Sequence, residues 1–178
     1  RKQLDSIGCV LPAAVTGIGG GTFRELVLGA TPVFWVVKPA FLVVCVTVAV
    51  IVYFTAHLVE SRYRLLLWLD AIGLSAYAVM GAAKGLALSG SPIVALVTGM
   101  MTATLGGILR DLLSGEPSVL MRPEIYVSAA LVGAGGFVAA SLLGAPLIAA
   151  SAVGVAAAFA VRGGAIRYGW AFSPYRSR

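Results

Sequence analysis

Thr16 to Gly29 reads TGIGGGTFRELVLG, and Thr102 to Gly115 reads TATLGGILRDLLSG. The fourteen positions align without a gap. Six are identical: Thr16 with Thr102, Gly20 with Gly106, Gly21 with Gly107, Arg24 with Arg110, Leu26 with Leu112 and Gly29 with Gly115. Glu25 and Asp111 keep the acid that follows the arginine. Further on, Lys38-Pro39 matches Arg122-Pro123 after a two-residue deletion. Such self-similarity marks a repeated structural unit.

Both copies are set in apolar sequence. The 178-residue chain is 60% apolar and 11% charged, against about 45–50% and about 25% in an ordinary soluble domain. Its mean hydropathy is +0.98. These values exclude a soluble globular enzyme, a disordered tail and a nucleic-acid-binding module. The net charge of +6 does not reverse that reading, because the basic residues are scattered between apolar runs. The chain reads as an all-α, polytopic membrane protein. Cys9 and Cys45 each sit in an apolar run, so no disulfide framework is expected.

A membrane-crossing helix needs about 20 mostly apolar residues. Six stretches qualify. The first is uncharged from Ser6 to Phe23 and reaches Leu28; the next are Ala40 to Val59, Leu65 to Ala83, and Pro92 to Leu113. The uncharged run from Ile125 to Val161 is too long for one crossing, and Gly144-Ala145-Pro146 is its natural break into two. Nine basic residues then fall on one side: Arg1, Lys2, Arg62, Arg64, Arg122, Arg162, Arg167, Arg176 and Arg178. Only Lys38 and Lys84 fall on the other. The positive-inside rule makes the first side, with the C-terminus, cytoplasmic. Trp35, Trp68 and Trp170 fall near span ends, as belt anchors would.

Parity sets the relation between the copies. They lie three crossings apart and therefore run in opposite directions, an inverted repeat of the kind found in transporters and some channels. Residues 1–62 make a first repeat lacking its first helix, 63–144 a second, inverted repeat, and 145–178 a final transmembrane helix with a basic tail. One further span is expected before Arg1, giving seven.

Three glycines in a row weaken a helix by about 1 kcal/mol each. Gly19, Gly20, Gly21, Gly106 and Gly107 admit two readings. They let helices approach closely, or they break or kink the helix beside a polar path. Two copies at symmetric depth tilt the balance to the second. Arg24 and Arg110 are intramembrane ionisable groups and candidates for function, or else snorkelling or structural charges. Residues adjacent on a helix do not face each other, so Arg24 and Arg110 are expected to pair with other spans rather than with Glu25 and Asp111, which read with Asp70 as structural ion-pair residues. Thr16, Thr102 and Thr104 offer hydroxyl oxygens to an ion, or bond their own helix backbone. Lys38 and Lys84 are outer-side cations able to act as an electrostatic gate. Asp70 reads as a mouth residue or as a charge satisfied by the helix dipole, the latter preferred. His57 is the sole histidine. No metal-ligand spacing, no nucleophile–base set and no cofactor site is present, so the chain is not expected to be an enzyme.

At these residues the sequence resembles a known family. The two GG-x-x-R-[DE] segments, PVFW at Pro32–Trp35, LDAIGL at Leu69–Leu74 and RPEIY at Arg122–Tyr126 resemble bacterial members of the trimeric intracellular cation channel (TRIC) family. That grouping overlaps a membrane family described as glycine-transporting. The resemblance implies two inverted three-helix repeats plus a final helix, and a homotrimer in the bacterial inner membrane. It also implies a pore in each protomer that passes monovalent cations, chiefly potassium, beside glycine-kinked helices. Partners would be those cations and membrane lipids, with no nucleic acid. The other reading that suits an inverted repeat is a secondary transporter of a small amino acid such as glycine. The second copy departs from the first in having Leu105 where the first has Gly19, so the halves need not break equally.

Overall fold

The structure, a computed structural model, describes residues 6–59, 63–114 and 125–170, with side chains over 14–51, 67–113 and 125–170. Every element among them is a helix. In chain order they are α1 (Ser6–Val27), α2 (Phe34–Val37), α3 (Ala40–Val59), α4 (Tyr63–Ser89), α5 (Pro92–Ser114), α6 (Val127–Leu142) and α7 (Leu147–Tyr168). Each of the six long helices overlaps one of the six expected spans. The single-turn helix α2, in the stretch between α1 and α3, was not expected. Helices Leu67–Ser89, Pro92–Leu113 and Leu147–Tyr168 are each long and apolar enough to cross a membrane, and Ala40–Ile51 and Val127–Leu142 are shorter apolar helices.

Small residues make the core. One buried cluster joins Leu74, Ala78, Ala103, Tyr126, Ala129 and Ala130. A second joins Val79, Ala82, Ala95, Ala134, Phe137, Val138 and Ala150. Alanine and glycine let backbones approach where lipid gives no hydrophobic drive between helices. The tightest neighbours are α4 with α5, α6 with α7, and α1 with α5, whereas α3 rests mainly on α1. Large apolar side chains stay exposed on the outside, among them Val43, Val44 and Val48 of α3 and Leu147 and Ile148 of α7. An all-round apolar exterior is what hydrocarbon solvates.

Two span ends move. Gly144, with φ 84°, ends α6, and Pro146 precedes α7, as the sequence suggested. However, α7 continues past Val161 to Tyr168. Arg162, expected in a cytoplasmic loop, is inside that helix and 3% exposed. Its guanidinium lies over the Tyr126 ring at 5.0 Å, a contact that gives the buried cation a partner. Likewise α4 runs beyond Ala83 to Ser89, so Lys84 belongs to a helix rather than a loop. Arg1, Lys2, Arg62, Arg122, Arg176 and Arg178, and the side chains of Cys9, His57 and Arg64, lie outside the described residues.

Candidate functional site

The two glycine motifs meet each other. On α5, a Cβ on Gly106 would stand 2.5 Å from the carbonyl oxygen of Thr16, and on α1 a Cβ on Gly20 would collide with the carbonyl oxygen of Thr102. Thr16 aligns with Thr102 and Gly20 with Gly106, so the crossing is reciprocal: each motif offers a glycine to the other's threonine carbonyl. Both helices are continuous through their glycines. No break interrupts either helix at Gly19, Gly20, Gly21, Gly106 or Gly107; Gly20 and Gly106 instead bring α1 and α5 backbone to backbone, whereas Gly21 faces the Phe34 ring and Gly107 the Tyr126 hydroxyl. Gly19 serves the same crossing by making room for Leu109.

Beside this crossing is a cavity of about 660 Å³. Gly17, Gly21, Arg24 and Glu25 of α1 line it, with Phe34 of α2, Phe41 of α3, Tyr77, Met80 and Lys84 of α4, and Thr102 of α5. Its charged end is one compact cluster. Glu25, fully buried, accepts from the Arg24 guanidinium at 3.0 Å, from the Lys84 ammonium and from the backbone N–H of Phe34. Two cations against one carboxylate leave a net positive wall. The Nε of Arg24 is buried without an acceptor among the described residues. Tyr77 donates its hydroxyl to the Gly17 carbonyl at 3.1 Å, tying α4 across the cavity to α1.

The second motif builds a different cluster. Arg110 donates to Asp111 at 3.0 Å and lies 3.8 Å from Asp70. Asp70 in turn faces the Tyr126 hydroxyl at 3.5 Å. The Arg110 side chain is 41% exposed and that of Arg24 only 7%. Two expectations change here. In both motifs the adjacent acid does bond its arginine, because the long guanidinium side chain curls back where the short Cβ vectors could not meet. Each motif also reaches another span, α4 in both cases. Asp70 is not in the first turn of α4, so it is an ion-pair partner and not a charge held by the helix dipole.

The remaining expected residues separate. Thr102 and Thr104 donate to the Thr98 and Met100 carbonyls of their own helix at 2.6 and 2.9 Å, and only Thr102 lines the cavity. Thr16 gives its carbonyl to the crossing. Lys38 is exposed at the end of α2, away from the cavity lining. Trp35 is half-buried and donates its indole N–H to Thr22 at 2.9 Å, so it is tied to α1 rather than being a free belt anchor. Sequence reasoning missed Phe34, Phe41 and Tyr77. The PVFW stretch carries a family resemblance, but nothing in its spacing announces a cavity wall.

Among known proteins, the model of the family described as glycine transporter matches residues 1–57 and 67–141. The UPF0126 membrane protein of Vibrio cholerae is 37% identical over 173 residues, covering 94% of this chain and 71% of that protein. The UPF0126 inner membrane protein YadS of Escherichia coli K12 is 35% identical, covering 94% and 82%. A solved structure of a TRIC trimeric intracellular cation channel orthologue from Rhodobacter sphaeroides is 54% identical. It covers 96% of this chain and 88% of that one, with a TM-score of 0.90.

Proposed function

The chain belongs to the family described as glycine transporter and is a bacterial member of the trimeric intracellular cation channel (TRIC) family, and from that premise we propose that it is a passive channel for monovalent cations, chiefly potassium. The observation that carries this reading is the cavity beside the first motif, lined by helices of a single chain. It supports a pore in each protomer; the homotrimer and the inner membrane follow from the relatives, and a cytoplasmic C-terminus from the distribution of basic residues. The solved relative is an ion channel and not an enzyme, and the relative from Escherichia coli is named an inner membrane protein.

The geometry suits passive flux. Residues 1–62 and 63–144 act as inverted repeats whose pseudo-two-fold axis runs through the reciprocal glycine–threonine crossing, and α7 packs against α6 and α4. Selection comes from the width of the path and from the Thr102 hydroxyl and the Gly17 carbonyl, the latter shared with Tyr77. Lys84 and Arg24 raise an electrostatic barrier to cations, which pairing with Glu25 moderates. The Arg110–Asp70–Asp111 cluster supplies a second constellation of opposite sign, one cation against two carboxylates.

A second reading, transport of a small amino acid such as glycine, is favoured by the family's description. Planar-bilayer recording and liposome uptake on the purified protein separate the two. Unitary potassium currents with no glycine accumulation support the channel. Saturable glycine uptake without unitary steps overturns it.

A further inference from the structure

Gly21 and Gly107 occupy aligned positions of the two motifs, and each faces an aromatic ring. A Cβ on Gly21 would stand 2.7 Å from Cε1 of Phe34, and one on Gly107 would stand 3.2 Å from the Tyr126 hydroxyl. The rings themselves are not aligned. Phe34 precedes Lys38-Pro39, whereas Tyr126 follows Arg122-Pro123. Each motif thus carries a glycine socket, filled from a different point in the chain.

We propose that Phe34 is the hydrophobic constriction of the cation path, seated on Gly21 when the path is shut, and that Tyr126 on Gly107 is its fixed counterpart. The proposal rests on the channel reading and adds to it the residue that shuts the cavity.

The two rings are held very differently. Phe34 lines the cavity and meets Phe41 edge-on at 5.2 Å between centroids. Its helix α2 is four residues long, has no side-chain cap and contains no buried residue. Two side-chain bonds tie it to α1: the Phe34 N–H donates to the Glu25 carboxylate and the Trp35 indole N–H to the Thr22 hydroxyl. Segments with little buried apolar contact are those that open locally. Glu25 also holds Arg24 and Lys84, so one buried carboxylate positions the ring and the cations of the same wall. A ring with no polar atom, set across a narrow path, stops ions by excluding water.

Tyr126 is 4% exposed. Arg162 of α7 covers its face, Asp70 of α4 lies by its hydroxyl, and Gly107 of α5 is beneath it. Three helices besides its own converge on that ring, so it stays where it is while Phe34 moves.

Single-channel recording tests this on the trimer reconstituted in bilayers, using Phe34→Ala, Phe34→Leu, Gly21→Ala and Tyr126→Phe. Size-exclusion elution and helix content serve as controls. Phe34→Ala is expected to raise the open-to-closed ratio on the order of tenfold, the equivalent of about 1.4 kcal/mol. Gly21→Ala, which unseats the ring, should move it the same way. Phe34→Leu should fall between Ala and the parent, a graded rescue that loss of fold would not give. Tyr126→Phe should leave the ratio unchanged. A folded, conducting Phe34→Ala with the parent's ratio overturns the constriction, as does misfolding of every Phe34 and Gly21 variant, which would make the ring purely structural. A parent protein with no unitary current overturns the channel reading instead, and the constriction with it.

Discussion

The carbonyl oxygen of Thr102 occupies the space a β-carbon on Gly20 would need. The same relation holds in reverse between Thr16 and Gly106, so α1 and α5 are held at a separation that only a hydrogen side chain permits. A backbone carbonyl in mid-helix cannot swing aside as a flexible side chain can. Gly20→Ala and Gly106→Ala should therefore each destabilise the protein by about 3 kcal/mol, the upper end of ordinary overpacking. Because both push on one crossing, the double variant should cost less than the sum. Thermal unfolding followed by loss of the trimer peak measures this. Alanine variants that elute and melt like the parent would contradict it.

Glu25 is fully buried and carries three bonds, whereas the Lys84 side chain is 37% exposed. Glu25→Ala should cost about 3–5 kcal/mol, because it strands the buried Arg24 without its carboxylate. Lys84→Ala should cost about 1 kcal/mol or less, since Glu25 keeps Arg24 and the lysine can be solvated. The same unfolding assay ranks the two, and an equal or reversed ranking would show that the cluster is not centred on Glu25.

Arg24 and Arg110 align in the repeat but differ in exposure, 7% against 41%. Arg24→Met should therefore be the more disruptive change, as it also leaves Glu25 with a single cation. Arg110→Met keeps most of the packing of the side-chain stem, and its loss is eased by solvent. Comparing expression and melting of the two variants checks this. Equal effects would mean that exposure does not set the worth of these charges.

Thr102 and Thr104 both donate to their own helix, but only Thr102 also faces the cavity. Thr102→Val should shift the potassium-over-sodium reversal potential, whereas Thr104→Val should leave it alone. Each should cost roughly 1 kcal/mol of stability, the usual worth of one hydrogen bond. A selectivity change at Thr104 and none at Thr102 would move the path away from this cavity.

Much of this architecture is written in local pattern. The long apolar runs mark the six long helices, and Gly144-Ala145-Pro146 marks the break between α6 and α7, because hydropathy and helix punctuation act over a few residues. The end of α7 was misplaced because a charge ordinarily marks a span's end, and Arg162 is instead buried against an aromatic ring from another helix. The meaning of the glycines depended on what lay opposite them. The sequence shows two motifs but not that each is the other's partner. Phe34, Phe41 and Tyr77 become cavity residues only through tertiary placement, and their apolar types are indistinguishable from the lipid-facing residues around them.

In a symmetric pair of separate chains, any substitution at a self-complementary contact lands twice, and both halves must tolerate it at once. Joining the two copies in one polypeptide removes that constraint at the Gly20–Thr102 and Gly106–Thr16 crossing. Gly19 receives Leu109, while at the aligned positions Leu105 stands in place of the glycine and Phe23 is left 41% exposed. The two sides of the axis are thus free to specialise, so that one face of the molecule can acquire a movable ring and the other a fixed one without either compromising the joint between them.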